Sequence, residues 1–295
     1  LPTKPRRARQ LLDQGKATVK QVVPFTIQLN YEIENPVGSF EVGVDDGAKS
    51  VGVAVKNTET DEIVFRGKIA LRQDVTRKME QRKNYRRARR FRLRNRQPRF
   101  SNRTGWKIAP STRCRKGSII RFLKDMSKRL NIVKVIVEEV VFDHRQKNYG
   151  KFFSLVEIGK KYLKEQIEKM GLIYESTFGY ITRESRLKLC LSKKHSNDAC
   201  AIVGSNLVFC PEYTIRPRRT KVWENNPTKT CLEKNGFKHH DLVKAKHRTR
   251  GFVVGSVRSL KKKEITLRTK WDNNFPVSYN KAKLLQRFSG LVYAF

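Results

Sequence analysis

The chain has 295 residues, with 65 Lys plus Arg against 27 Asp plus Glu and a formal net charge of +38. A free monomer so charged repels itself, so a polyanionic partner is expected, nucleic acid first and an anionic membrane surface second. No apolar run is long enough to span a bilayer, LPTKPRRARQ lacks the apolar core of a signal peptide, and Cys114, Cys190, Cys200, Cys210 and Cys231 form no Cys-x-x-Cys pair, which argues against membrane anchoring, export, a zinc ribbon or a disulfide scaffold.

In chain order, RRARQLLDQGKA reads as a short basic helix stopped by Gly15, and residues 19 to 31 read as extended, with alternation over Phe25, Ile27 and Leu29. FEVGVDDG, AKSVGVAVKN and EIVFRGKIAL follow as three strands of an antiparallel meander. Residues 77 to 100 then hold twelve Arg or Lys against the single acid Glu80. If helical, that run carries basic side chains on every side and leaves no face for a core. Pro98 closes it, and a polar segment follows.

Ile119, Ile120, Phe122, Leu123, Met126 and Leu130 space as an amphipathic helix from Gly117 to Leu130, and NIVKVIVEEVVFD reads as a buried strand. Phe152, Leu155, Val156, Gly159, Leu163, Ile167 and Met170 make a second helical stripe that ends at Gly171, and LIYES is a short strand after it. Helix then buried strand, twice, indicates the α/β half of a mixed sheet. LSKKHSNDACAIVG begins a further helix, with Ser196 or Asn197 as its cap. From about Leu207, short runs such as FVVGSV, EITLRT, PVSYN and GLVYAF indicate a separate β-rich basic module.

Asp45 ends one expected strand, Glu138 ends another, and Asp198 starts a helix three residues after His195, so three distant carboxylates can meet at one sheet edge. Clustered alone, they would repel one another and any approaching phosphate. Mg²⁺ or Mn²⁺ between them resolves the repulsion, because hard cations take oxygen ligands. Two such ions can hold the attacking water and the leaving oxygen of a phosphodiester in line, and His195 would take or orient the proton of that water. A plainer reading stands beside this one: Asp45-Asp46-Gly47 is equally a hairpin turn, and His-x-x-Asp a capped helix start. The catalytic reading gains from each acid bordering a buried element, where an unpaired carboxylate is costly.

VGVDDGAKSVGVAV, VIVEEVVFD and SKKHSNDA resemble the three split motifs of a RuvC-type nuclease domain. The surrounding order is similar to the IscB family of RNA-guided, transposon-encoded nucleases. PTKPRRARQLLDQGKATV with PFTIQL resembles that family's amino-terminal segment, and RNRQPRFSNR before GWKIAPS its bridge helix. GYITRESRLKLCLSKKHSNDA resembles the approach to its third motif, and NGFKHHDLVKA through GLVYAF its DNA-reading end. Against the family pattern, Asp45 and Glu138 match the ligand positions, with Asp46 and Glu139 as alternatives. No room is left after Phe142-Asp143 for the HNH nuclease inserted in IscB proper, so the closer resemblance is to the HNH-lacking IsrB proteins.

The resemblance implies an RNase H-like (RuvC) mixed α/β sheet in three parts, residues 39–72, 105–145 and 146–206, split by an arginine-rich bridge helix at 73–104. Residues 1–38 would be a shortened amino-terminal segment, and 207–295 a small β-rich basic domain that meets guide RNA and the target-adjacent motif. It further implies a metal-dependent DNA endonuclease that nicks the displaced strand, with Asp45, Glu138 and Asp198 as metal ligands, His195 as the proton-handling group, Mg²⁺ or Mn²⁺ as cofactor and no organic cofactor. Expected partners are a large guide RNA and target double-stranded DNA, with one protein copy per ribonucleoprotein, no membrane, and a cytoplasmic, nucleoid-associated location. Arg82, Arg86, Arg87, Arg89, Arg90, Arg92, Arg94, Arg96 and Arg99, with Arg216, Arg218 and Arg219, are the expected phosphate contacts, because the guanidinium fork binds phosphate bidentately. Two other readings stay open: a structure-selective resolvase working without RNA, and a non-catalytic RNA-binding protein.

Overall fold

The computed structural model describes residues 3–32, 38–92, 108–139, 155–206, 210–217, 233–247, 250–269, 272 and 274–294. Residues 38 to 212 form one compact unit, and residues 1 to 37 with 213 to 295 form another. The second unit opens with α1 (Pro5–Asp13), stopped by Gly15 at φ +66°. The stretch expected as one extended run is instead a hairpin, β1 (Ala17–Gln21) against β2 (Thr26–Leu29). Pro24 falls in the turn, since it has no N–H to give a ladder.

The 38–212 unit is a mixed α/β structure. Its strands β3 (Phe40–Asp45), β4 (Ser50–Asn57) and β5 (Ile63–Ala70) are the expected antiparallel meander. Helix α2 (Val75–Arg92) follows and buries no residue. Helix α3 (Pro110–Ser127) begins earlier than Gly117 because Pro110 serves as a first-turn proline. Strand β6 (Ile132–Glu139) runs parallel to β3, and β7 (Ile173–Phe178) runs parallel to β6 after helix α4 (Leu155–Glu168). The strand order is therefore β5-β4-β3-β6-β7. In α4, Leu163 and Ile167 are buried as expected, but Val156 is exposed, and Phe152 lies outside the described residues. Two helices close the unit, α5 (Gly179–Lys188) and α6 (His195–Ile202).

Strand alternation divides the sheet into two faces. Val53, Val55 and Phe65 lie on the face covered by α3, where the Phe65 and Phe122 rings stand 5.5 Å apart. Ala54 and Ile63 lie on the other face and pack with Ala199, Cys200 and Val203 of α6. That helix comes down to the strand backbone because glycines stand beneath it. A Cβ on Gly52 would collide with the His195 carbonyl, and one on Gly43 with the Ala199 carbonyl. Ser196 and Asn197 are not caps: both lie inside α6, Ser196 donating to Glu212 (2.9 Å) and Asn197 to the Ser192 carbonyl (2.9 Å).

In the other unit, β8 (Glu212–Pro217) precedes the short strands β9 (Glu233–Lys234) and β10 (Phe237–Lys238). Then come β11 (Leu242–His247), β12 (Gly251–Leu260), β13 (Glu264–Arg268), β14 (Phe275–Ser278), β15 (Ala282–Gln286) and β16 (Leu291–Ala294). Five of them form an antiparallel sheet in the order β14-β13-β12-β11-β15 around Val243, Val257, Ile265 and Leu267. Among the described residues no helix is long and apolar enough to cross a membrane.

Gly52→Ala is expected to lower stability by about 1–3 kcal/mol or more, because the added methyl meets rigid backbone. Gly117→Ala, with nothing within 4 Å and a helical backbone, is expected to raise stability by about 0.5–1 kcal/mol. Thermal or urea unfolding of the two variants checks both signs.

Candidate functional site

The parallel pairing of β3 and β6 sets the site. Val44 stands opposite Val137, so the next residue on each strand, Asp45 and Glu138, leaves the sheet side by side at its carboxyl edge. Open α/β sheets bind their ligands at such edges. Asp45 is paired with Gly52 across β4 and therefore faces α6. From the first turn of α6, His195 places Nδ1 2.5 Å from Asp45 Oδ2, and Gly47 makes room: a Cβ there would fall 2.8 Å from His195 Cε1. Asp198 follows one turn later, where Arg186 of α5 holds it through Nε at 2.8 Å. On the far side, Gly179 lies against Glu138, and a Cβ there would sit 3.1 Å from Oε1.

The neighbouring acids go the other way. Asp46 is ion-paired with Lys116 of α3, and Glu139 accepts from the Tyr174 hydroxyl on β7. Period-two alternation thus separates each doublet, with one acid toward α6 and the other toward α3. Burial pushes Lys116 down to about 8, and Lys160 acts in the same direction while Glu139 opposes. Burial and the Glu139 contact push Tyr174 up.

Asp45 senses the other two α6-side acids. Burial pushes Asp45 up to about 6; His195 works against that shift, and the charges of Glu138 and Asp198 add to it. Asp198 is also raised, by burial first, with Arg186 and His195 opposing. Oxygen donors whose charges disfavour ionisation of Asp45 suit a hard divalent cation, so the residues fit Mg²⁺ or Mn²⁺ in their chemistry. Asp45 faces His195 and Asp198 faces Arg186 instead. Among the described residues no three His, Cys, Asp or Glu groups stand close enough together to hold a metal ion as they lie.

Arg82, Arg86, Arg87, Arg89, Arg90 and Arg92 are exposed along α2, as are its apolar Tyr85 and Phe91. A helix with no buried residue draws nothing from a core, in keeping with its charge on every side. Arg216 is exposed on β8. Arg94, Arg96, Arg99, Arg218 and Arg219 lie outside the described residues. Sequence reading passed over Arg186, Lys116 and the glycines. Arg186 sits on a helix whose exposed Ile181 and Leu187 blur any apolar stripe, whereas glycines inside the strands VGVDDG and SVGVAV are the signal of a close backbone approach that would have found Gly43 and Gly52.

Asp45 yields a pH prediction. The folded protein keeps this proton up to a pH of about 6, against 3.8 for the ordinary carboxyl, so stability falls as pH rises through that window and stays lower above it. In chelator-treated buffer, Asp45→Asn is expected to be more stable than the parent at pH 8 by the order of 1–3 kcal/mol. The difference should vanish below the unfolded value, near pH 3.5. Thermal unfolding across pH measures it.

No curated protein matches the sequence. Among solved structures, T. thermophilus RuvC in complex with a Holliday junction substrate is 14% identical, over 56% of this chain and 90% of that chain, with a TM-score of 0.33. A second Thermus thermophilus RuvC structure is 13% identical over the same shares, with the same score. Likenesses this weak carry no argument about function. The model of the family described as RRXRR protein matches residues 1–158, more than half of the chain. On that match, the chain belongs to the RRXRR protein family.

Proposed function

We propose that this protein is an RNA-guided DNA nickase of the IsrB type, a RuvC-like endonuclease that binds a large guide RNA and hydrolyses one phosphodiester in the displaced DNA strand. The observation that carries the reading is that Glu138, beside Asp45 at the carboxyl edge of the sheet, and Asp198 on α6 lie near enough to raise the proton affinity of Asp45. Membership of the RRXRR family, which is associated with IscB- and IsrB-like proteins, supports it. So does an arginine helix that buries no residue and lies, in sequence, between the strands of Asp45 and Glu138.

In this reading Asp45, Glu138 and Asp198 hold Mg²⁺ or Mn²⁺ through carboxylate oxygens. Bound there, such cations activate water and neutralise charge on the scissile phosphate. With the Asp45 carboxylate ionised, the His195 Nδ1–H donates to it, which orients the ring and leaves Nε2 to take the proton of the attacking water. The water oxygen joins phosphorus as the bridging oxygen leaves. Arg82, Arg86, Arg87, Arg89, Arg90 and Arg92, continued by Arg94, Arg96 and Arg99, grip phosphates of the guide RNA and heteroduplex from several sides. Arg216, Arg218 and Arg219 contribute to the same electrostatic hold. One set of acids serves one strand.

The test is to sequence the RNA that co-purifies with the full chain, then to challenge the complex with a supercoiled plasmid matching that guide, in Mg²⁺. Open-circle product is expected, absent with chelator and absent with Asp45→Ala. Linear product from the pure complex, or nicking that survives Asp45→Ala, would contradict the one-site reading.

A further inference from the structure

A guanidinium stands against the third carboxylate of the site. Arg186 lies in the last turn of α5 and Asp198 in the first turn of α6, and Nε of the one is 2.8 Å from Oδ1 of the other. Their side chains are only 13% and 18% exposed, so water screens the pair weakly. Arg186 Nε is nevertheless buried without a hydrogen bond. The contact is charge against charge at close range, not an aligned donor and acceptor.

Each charge suits its own helix end, a cation at the carboxyl end of α5 and an anion at the amino end of α6. A tie between two helices would ask no more than that. The place of Asp198 asks more, because its charge reaches Asp45, as does that of Glu138. Arg186 therefore neutralises a member of the acid set, not an isolated surface group. Burial is the main influence on Asp198 itself, and of the positive groups around it Arg186 acts more strongly than His195 or Lys193. A guanidinium, unlike an imidazole or an amine, cannot shed its charge. A divalent cation on the same carboxylate would set two permanent positive charges on one poorly solvated acid, and one of them has to leave.

We propose that Arg186 is the resident counter-charge of the carboxylate site: it neutralises Asp198 when no divalent cation is bound, and its departure from Oδ1 is the step that admits one. The proposal rests on the metal-site reading above and adds its regulation. The ion pair stabilises the metal-free protein, and each cation that binds has to offset the loss of that pair. The acids of this chain therefore hold a divalent cation more weakly than the same acids would without Arg186, and the site stays closed at low divalent concentration. Arg186 touches none of the reacting atoms. It sets the occupancy of the groups that do.

The test follows Mn²⁺ binding to the full chain, freed of RNA in high salt, by loss of the free-ion electron paramagnetic resonance signal. Binding that Asp45→Ala abolishes is counted as the site's. Arg186→Gln, which removes the charge and keeps a polar side chain, is expected to bind that Mn²⁺ about tenfold more tightly than the parent. Arg186→Lys should tighten it less, because the charge remains. Thermal unfolding reads the same coupling: Arg186→Gln should melt below the parent in chelator, with the gap closing in saturating Mn²⁺. The parent alone supplies a third readout that needs no variant to fold, since the Nε–H magnetic resonance signal of Arg186 should shift as Mg²⁺ is added. Equal or weaker Mn²⁺ affinity in Arg186→Gln, a melting gap that Mn²⁺ leaves unchanged, or an Arg186 signal unmoved at saturating Mg²⁺ would each overturn the proposal and leave the metal site standing. A parent protein that binds no Asp45-dependent Mn²⁺ would instead remove the metal-site reading, and the proposal with it.

Discussion

The site depends on a helix lying against bare strand backbone. Helix α6 reaches Asp45 only because residues 43 and 52 have no side chain, so the His195 and Ala199 carbonyls occupy space that any Cβ would fill. Ala54 and Ala199 keep the same contact thin further along. Interior packing is dense enough that a single methyl there must displace backbone, not a flexible side chain. With the helix lifted, His195 would lose its contact with Asp45, and Asp198 would leave the range in which it acts on that carboxyl.

The second constraint is charge. A protein with a net charge of +38 nevertheless gathers acids at one sheet edge, and it handles the doublets Asp45-Asp46 and Glu138-Glu139 by sending their members to opposite faces. Behind the sheet, Lys116 takes Asp46 and Tyr174 takes Glu139, which fixes the strand ends. In front, His195 and Arg186 occupy Asp45 and Asp198. A divalent cation entering the front site would compete with His195 and Arg186 for those oxygens, so the same groups that stabilise the metal-free arrangement set how readily it yields. The arginine helix needs no such balance, because its partner is external.

Much of this was legible in the residues. The alternation around VGVDDG and VIVEE gave strands that end in acids, and the three-residue step from His195 to Asp198 gave one helical turn. The parallel pairing that sets Asp45 beside Glu138 was not legible, since it joins strands distant in sequence and no local period encodes it. The separation of Asp45 from Asp46 follows from strand alternation alone, but assigning each to a face requires knowing which helix covers which side. Ser196 and Asn197 looked like caps because such residues favour that role, yet tertiary partners Glu212 and Ser192 took their side chains. Pro24 marked a hairpin turn that alternation over Phe25, Ile27 and Leu29 had hidden.

The most direct measurement of the carboxylate site is metal-directed backbone cleavage, with Fe²⁺ and ascorbate substituted for Mg²⁺ on the full chain and the cuts located by mass spectrometry. A single cation site formed by Asp45, Glu138 and Asp198 predicts cuts clustered at three separate segments, around 45–47, 138–139 and 195–198, all suppressed together by excess Mg²⁺. Cuts at only one of these segments, or at unrelated ones, would contradict it.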